Sequence, residues 1–409
     1  MNKKQTLGVF FGSRSCEHDI SIITGLQLIQ AINREKYYVV PVYIDQKGKW
    51  YTGEGLLNIK LYTDFSQEKE GMIPISLDLT SGSGALISYE KSKGIFGKLE
   101  QKIIARIDCA VLTFHGLHGE DGSVQGIMEM ANIPYTSSGI PGCAIAMDKI
   151  LLKQYLQGAN FPVVPGTWFY RSTWEKRNQY VIDEIEKIEY PVVVKPANLG
   201  SSIGVSLVKN QEQLTEALEI AFAFDRKVLV EKAIMNMIEL NCSVLGYEEE
   251  VYASELEKPE TNENAIYSHE DKYATNRNKS TSGMASAKRV IPAPISEELK
   301  ERIQKMSKEI FALLDLKGVV RIDYMLDQHS DTLYVTEVNT IPGSMSFYLW
   351  DHTNIPYGKL IDKLVDIALL AFEQKQASNY AYESDILQGV ELSSGKIGAK
   401  GTKLSSFSK

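Results

Sequence analysis

The chain has few cysteines, no long apolar run and no excess of positive charge, and each shortage narrows what it can be. Cys16, Cys109, Cys143 and Cys242 stand far apart, without a CxxC pair or the histidine spacing of a zinc site. A disulfide framework is thereby excluded, and reduced thiols in a cytosolic protein are the expectation. No apolar stretch approaches the roughly 18 residues of a membrane helix. The N-terminal MNKKQTLGVFFG runs directly into a strand pattern, without the apolar core of a signal peptide. A soluble, cytoplasmic protein with no membrane partner is expected. The formal net charge of -8 argues against nucleic acid as a main partner, so any phosphate ligand must be met by a local cluster of lysines. The glycine-rich loop near Gly200 is neither GxxxxGK[ST] nor GxGxxG, which removes the Walker loop and the dinucleotide fingerprint.

What is present is an ordinary globular balance, 44% hydrophobic and 23% charged, over 409 residues. Strand Leu7 to Phe11, a Gly12 loop, helix Asp19 to Arg34, strand Tyr38 to Ile44, strand Cys109 to Phe114 and helix Gly122 to Ala131 predict an α/β N-terminal domain with a parallel sheet over residues 1–141. Trp50 to Gln101, rich in Gly, Ser and charge, reads as an insertion decorating that sheet. Two α+β domains follow, residues 142–232 and 233–374. In the first, helices Met147 to Gln157 and Glu175 to Ile188 frame strand Val163 to Phe169. In the second, a helix with apolar spacing Leu299, Ile303, Met306, Ile310 and Leu313 precedes a hairpin, and a helix Leu360 to Phe372 ends the domain. Residues 375–409, poor in large apolar side chains, read as a mobile tail.

The hairpin, Gly318 to Asp327 and Thr332 to Thr340, carries Asp323, Glu337 and Asn339. A strand turns alternate side chains to one face, and the turn at His329 to Asp331 would bring Asp323 beside the other two. Three oxygen ligands suit magnesium, which binds oxygen at about 2.0 to 2.1 Å. A hairpin with ordinary solvent-facing acids is the competing reading. Lys195 ends a strand before a loop with Gly200, Ser201, Ser202 and Gly204, where backbone N–H groups could approach phosphate; a plain hairpin is the alternative. Glu231, Lys232 and Glu239 could hold a nucleoside, or form surface ion pairs. Lys149 opens a helix, and Lys272 lies in a polar stretch from Glu260 to Lys288 that suggests a lid rather than a loose connection. Glu17 could bind an ammonium or cap a helix, and His115 could reach a ligand or satisfy a carbonyl.

KPANLGSSIGVSLV, VLVEKAI, RIDYML and EVNTIPGS, in that order, resemble an ATP-grasp ligase. With GSRSCEHDIS and FHGLHGEDGSVQGIMEMANIPYTSSG ahead of them, the chain resembles the D-alanine–D-alanine ligase family and its D-alanine:D-serine relatives. The likeness runs over about residues 5 to 372 and rests on several motifs in register rather than on one. It implies ATP between the second and third domains, with Lys149, Lys195, Lys272 and the Ser202 loop on phosphates. Glu231, Lys232, Ile234 and Glu239 would hold adenosine. Asp323, Glu337 and Asn339 would bind two Mg²⁺, or Mn²⁺ in their place. It further implies that a first D-amino acid is phosphorylated on its carboxylate and a second displaces the phosphate, for peptidoglycan precursors. Arg321 and the Gly343 N–H would stabilise charge, Glu17 would take the first ammonium, and His115 would lie near the substrates. Amide-forming members join this acid to a serine and a tyrosine, here Ser201 and Tyr273. A homodimer is expected on the same ground.

The pattern is broken in three places. Gly12-Ser13 stands for Gly-Gly, the spacing from Glu231 to Glu239 is one residue longer, and Tyr348 and Leu349 stand for a serine and leucine that bind the second substrate. The last change leaves open a D-alanine:D-serine ligase or a ligase for another D-amino acid. An ATP-dependent carboxylate phosphotransferase is the rival enzyme class, since it would use the same lysines and metal ligands.

Overall fold

Leu7 to Phe11 is apolar on both faces, and such a run is stable only with cover on both sides. In the structure, a computed structural model that describes residues 4–63, 71–91, 98–260 and 289–379, it is the middle of a parallel trio. β1 (Gln5–Gly12) lies between β2 (Tyr37–Ile44) and β7 (Cys109–Leu112), parallel to both. The loops after β1 and β7 therefore open at one rim, bringing Glu17 and His115 to the same end of the sheet. The stretch expected to be a lid, including Lys272 and Tyr273, and residues 380–409 of the expected tail lie outside the described residues.

The segment read as a decorating insertion instead builds the sheet. β3 (Trp50–Thr52), β4 (Ile73–Leu77), β5 (Ala85–Lys91) and β6 (Leu99–Arg106) extend it antiparallel, in the order β6-β5-β4-β3-β2-β1-β7. β6 is an edge strand whose residues are exposed or half-buried, so it needs no apolar face and carries little strand signal. β1 ends where Gly12 and Ser13 both adopt positive φ, +95° and +89°. A Cβ at Gly12 would collide with the Ile44 carbonyl, which requires glycine there. Ser13 takes the left-handed conformation with a side chain, and its carbonyl accepts from His18 Nδ1 at 2.6 Å in α1 (His18–Ala31).

α2 (Ser123–Ala131) and α3 (Ile140–Met147) lead to α4 (Lys149–Gly158). α4 begins at Lys149 because Asp148 caps it, accepting from Ile150 N and Leu151 N at 3.1 and 3.2 Å. Next comes a four-stranded antiparallel sheet, ordered β10-β9-β11-β8: β8 (Gly166–Tyr170), β9 (Val192–Pro196), β10 (Ser206–Val208) and β11 (Lys227–Lys232). The helix expected over Glu175 to Ile188 is broken at Arg177 into α5 (Arg171–Lys176) and α6 (Asn178–Glu186). With α7 (Leu214–Phe224), these cover the sheet over a core of Val181, Ile185, Val194, Leu218 and Val228.

The third sheet is ordered β14-β13-β12-β15-β16, from β12 (Met237–Tyr247), β13 (Glu250–Pro259), β14 (Arg289–Val290), β15 (Gly318–Asp327) and β16 (Thr332–Asn339). α8 (Glu297–Leu313) starts at the Ser296 cap and buries Ile303, Ile310 and Phe311 against it. α9 (Phe347–Asp351) and α10 (Tyr357–Gln376) close the described chain. Leu360, Ile361, Leu364 and Val365 of α10 share the first sheet's core with Leu7 and Val9, so the last helix draws the first and third sheets together. α10 outruns its expected end at Phe372: Lys375, placed in the tail by its sequence, pairs with Glu129.

Candidate active site

The site is built on the outer face of β15 and β16. Asp323 stands directly opposite Glu337, and Arg321 opposite Asn339, which puts all four side chains on one face as the alternation requires. Tyr324 and its partner Val335 lie in the core below, and the bulge between Asp323 and Tyr324 shifts the register so that Glu337 rather than Thr336 meets Asp323. Arg321 grips Asp323 with two bonds, Nε to Oδ1 and NH2 to Oδ2, both 2.7 Å. Burial raises the Asp323 carboxyl to about 6, against the lowering effect of Arg321.

Three regions of the chain meet here. Lys149, at the start of α4, donates to the Leu199 carbonyl at 2.8 Å and reaches Glu337 Oε1 at 3.0 Å. Ser201 donates to Glu17 Oε1, joining the glycine-rich loop to the first sheet. Glu17 does not cap α1; its carboxyl is raised, by burial first, while Lys149 lowers it and Glu337 raises it. Ser201, Ser202 and Gly204 all have positive φ, between +54° and +73°, so the loop coils tightly over this corner.

Behind it, Glu231 at the end of β11 is held by both Lys195 and Lys153. Lys153 was not foreseen, although it follows Lys149 by one helical turn and so shares its face. Burial, then the nearby Lys195, pull Lys153 well below the usual lysine range. Lys232 turns its ammonium to the surface, onto the Glu189 carbonyl at 3.0 Å, so that its side chain is not aimed at the site. Ile234 is half-buried just past β11, and Glu239 lies on β12 opposite Met325, within the electrostatic reach of Asp323.

His115 is not at the open surface. It is buried, and burial lowers it to about 4, so the ring is neutral. Thr24 Oγ1 accepts from Ser344 N at 3.2 Å and shares a hydrogen bond with His115 Nε2 at 2.8 Å. Glu120, another residue that sequence reasoning missed, accepts from Gly116 N and Ile341 N at 2.9 and 3.0 Å. Together they hold the turn that begins at Gly343, where Ser344, Met345 and Ser346 all adopt φ near +50°. Successive left-handed residues with side chains are costly, and such strain persists where the surroundings over-determine it.

After this turn, Leu349 is buried in the core and can offer only its backbone to a ligand. Tyr348 is also buried, and its hydroxyl donates to Glu257 Oε1 at 3.1 Å. Asn241, Glu257 and Arg289 complete this corner and gave no signal in the sequence. A bulge in β12–β13 sends Glu255 to Lys300 of α8 and leaves Glu257 on the site face.

Asp323, Glu337 and Asn339 fit a hard divalent cation. All three offer oxygen, and the carboxylates are neutralised here by Arg321 and Lys149. Asn339 Nδ2 donates to Asp323 Oδ2 at 3.1 Å, which directs its amide oxygen elsewhere. Asn241, opposite Asp323, has a buried Oδ1 without a hydrogen-bond partner among the described residues. Such an acceptor favours a cation or water beside it. Among the described residues, no cluster of three His, Cys, Asp or Glu side chains could hold a metal, so a cation here would need the Asn339 amide and oxygens from a ligand besides the two carboxylates.

Two family models divide the chain between them: D-ala D-ala ligase N-terminus matches residues 6–138, and D-ala D-ala ligase C-terminus matches residues 155–366. The chain belongs to the D-alanine–D-alanine ligase family. The D-alanine–D-alanine ligase of Thermosipho africanus is 37% identical over 380 residues, covering 93% of this chain and 97% of the relative. That of Caldicellulosiruptor bescii is 36% identical over 389 residues, covering 93% and 99%. Among solved structures, the VanG D-Ala:D-Ser ligase from Enterococcus faecalis aligns with a TM-score of 0.72 at 27% identity, covering 90% of this chain and all of that one. The D-alanine-D-alanine ligase from Coxiella burnetii aligns with a TM-score of 0.71 at 25% identity, covering 91% and 96%. This D-alanine–D-alanine ligase family member therefore has the ATP-grasp fold, its parallel-containing first sheet followed by two antiparallel ones. No described helix is long and apolar enough to cross a membrane.

Proposed function

We propose that this chain joins D-alanine to a second D-amino acid, D-alanine foremost, using ATP, in the synthesis of peptidoglycan precursors. The observation that carries this reading is the meeting of Glu17, Ser201, Lys149 and Glu337, from distant parts of the chain, beside Arg321 and Asp323.

Glu17, oriented by Ser201 and joined by Tyr273, holds the donor's ammonium. This aims the donor carboxylate at the γ-phosphoryl group. Lys149, Lys195 and Lys272 spread the phosphate charge, helped by backbone N–H groups around Ser202. Glu231 and the backbone of Lys232 and Ile234 face adenine, and Glu239 faces the ribose. Two magnesium ions, when bound on Asp323, Glu337 and Asn339, supply charge neutralisation. A donor carboxylate oxygen attacks the γ-phosphorus and ADP leaves, forming an acyl phosphate. The acceptor's amine then attacks the acyl carbon, phosphate leaves, and the amine gives up a proton as the amide forms. Arg321 and the Gly343 N–H meet the charge that develops, an effect of a few kcal/mol per donor. His115 serves by fixing the Gly343 turn through Thr24.

The domain limits 1–141, 142–232 and 233–374, a homodimeric assembly and a cytoplasmic site of action belong to the same reading and rest on the resemblance. The test supplies ATP, Mg²⁺ and D-alanine with a panel of D-amino acids, D-lactate and L-amino acids, and identifies products by mass. D-Alanyl-D-alanine with equimolar ADP and phosphate is expected. A phosphorylated product without a new amide would favour the phosphotransferase, and D-alanyl-D-serine alone would assign the D-serine alternative.

A further inference from the structure

We propose that Glu257, Arg289 and Tyr348 act as one unit that sets acceptor specificity, in which the Tyr348 hydroxyl serves Glu257 and not the acceptor's carboxylate. The inference rests on the ligase reading above and concerns the second subsite of that reaction.

Glu257 is the hub. It is 2% exposed, and three donors reach it: Asn241 Nδ2 to Oε1 at 3.0 Å, the Tyr348 hydroxyl to Oε1 at 3.1 Å, and Arg289 NH1 to Oε2 at 2.9 Å. A buried carboxylate is tolerated only with such compensation, so removing one donor weakens the whole corner. The Arg289 guanidinium also lies 3.7 Å from the centre of the Tyr348 ring, stacked on its face. Tyr348 is thereby fixed at both ends, its hydroxyl by a carboxylate and its ring by a cation.

The hub lies across the sheet from the reacting side. Glu257 pairs with Asn241, and Asn241 pairs with Asp323. Strands are about 4.8 Å apart, so the two carboxylate-bearing backbones are separated by about 10 Å, with Asn241 on the strand between them. Burial and the Glu257 charge raise the Tyr348 phenol, while Arg321 and Arg289 both lower it, so the hydroxyl lies within the electrostatic reach of the reacting side as well as of the hub. Of the two serines just ahead of Tyr348, Ser344 donates to Gln27 Oε1 at 2.7 Å, and Ser346 is fully buried with its hydroxyl unpaired among the described residues. The wall that the acceptor meets is therefore an aromatic ring held by salt-bridged charge, where a short hydroxyl would have offered a donor.

The test measures KM and kcat for donor, ATP and a series of acceptors (D-alanine, D-serine, D-valine) in the wild type, Tyr348→Phe, Arg289→Met, Arg289→Lys and Glu257→Gln, with Tm for each. Tyr348→Phe should raise the acceptor KM severalfold and unequally across the acceptors, since it removes one of the three donors to Glu257 without removing a contact to the acceptor's carboxylate. Arg289→Met and Glu257→Gln should each raise the D-alanine acceptor KM about tenfold or more and alter the ranking of acceptors, with donor and ATP KM within about twofold. Combining them should cost little more than the worse single change. Arg289→Lys, which keeps charge without the planar stack, should fall between and guards against a variant that fails to fold. The proposal is overturned if Tyr348→Phe raises KM alike for every acceptor, which would show the phenol binding the carboxylate. It is also overturned if both Arg289 variants keep the wild-type acceptor ranking. A wild type that forms no ADP with D-alanine and any acceptor would instead sink the ligase reading itself.

Discussion

Lys149 reaches Glu337 at 3.0 Å, and this contact fastens α4 to the very strand whose register brings Glu337 opposite Asp323. The pair is unequal in exposure, with the lysine side chain 9% and the glutamate 35% exposed, so its electrostatic contribution to stability is discounted by solvent. Its weight falls on function.

Glu337→Gln should therefore separate stability from turnover. The amide keeps the shape and one acceptor for Lys149, so Tm should move by only a few degrees. Loss of a carboxylate from the metal set should lower kcat by about three orders of magnitude, roughly 4 kcal/mol of transition-state stabilisation. Near-normal activity at saturating Mg²⁺ would remove Glu337 from that set.

Lys153→Met tests the buried cluster at Glu231. Lys153 and Lys195 both hold that carboxylate, and a bound nucleotide would draw Lys195 toward phosphate, leaving Lys153 to fix Glu231 for the base. The expected outcome is an ATP KM raised about tenfold, about 1.4 kcal/mol, with the donor KM unchanged. Equal rises in both constants would mean that Lys153 supports the fold only.

Glu120 makes stability depend on pH. Burial first, then the charge of Glu17, push its carboxyl from the ordinary 4.5 up to about 8. Between those values the folded protein keeps a proton that the unfolded chain has released, so stability falls as pH rises through this window. Glu120→Gln stays neutral throughout, and its Tm should decline less than that of the wild type from pH 5 to pH 8. Parallel declines would show that Glu120 ionises normally.

Much of this was legible in advance because periodicity carries it. Alternation put Glu337 and Asn339 on one face and the His329 to Asp331 turn marked the hairpin, but the bulge after Asp323, which the sequence did not show, is what sets Asp323 opposite Glu337 rather than Thr336. The double-sided apolar run of β1 marked the parallel trio. The strands after Trp50 were missed because the edge strand β6 has no buried residue and β3, β4 and β5 bury only Thr52, Ile75 and the short run Ala85 to Ser88, too few to show a period. Glu257 and Arg289 were missed for a different reason. Whether Glu255 or Glu257 faces the site depends on a bulge, and Arg289 reaches Tyr348 only through tertiary packing. His115 and Lys232 show the converse: residue type suggested a ligand contact, while burial of the first and the surface direction of the second give their side chains other partners.

The most direct measurement of the central claim follows oxygen. D-Alanine labelled with ¹⁸O in both carboxylate oxygens is supplied as donor with ATP and Mg²⁺, and the released phosphate is examined by mass. Attack of that carboxylate on the γ-phosphoryl group, followed by displacement at the acyl carbon, transfers one ¹⁸O into inorganic phosphate for each dipeptide formed. Phosphate carrying one ¹⁸O per dipeptide is the expected result; unlabelled phosphate alongside dipeptide would contradict the acyl-phosphate route.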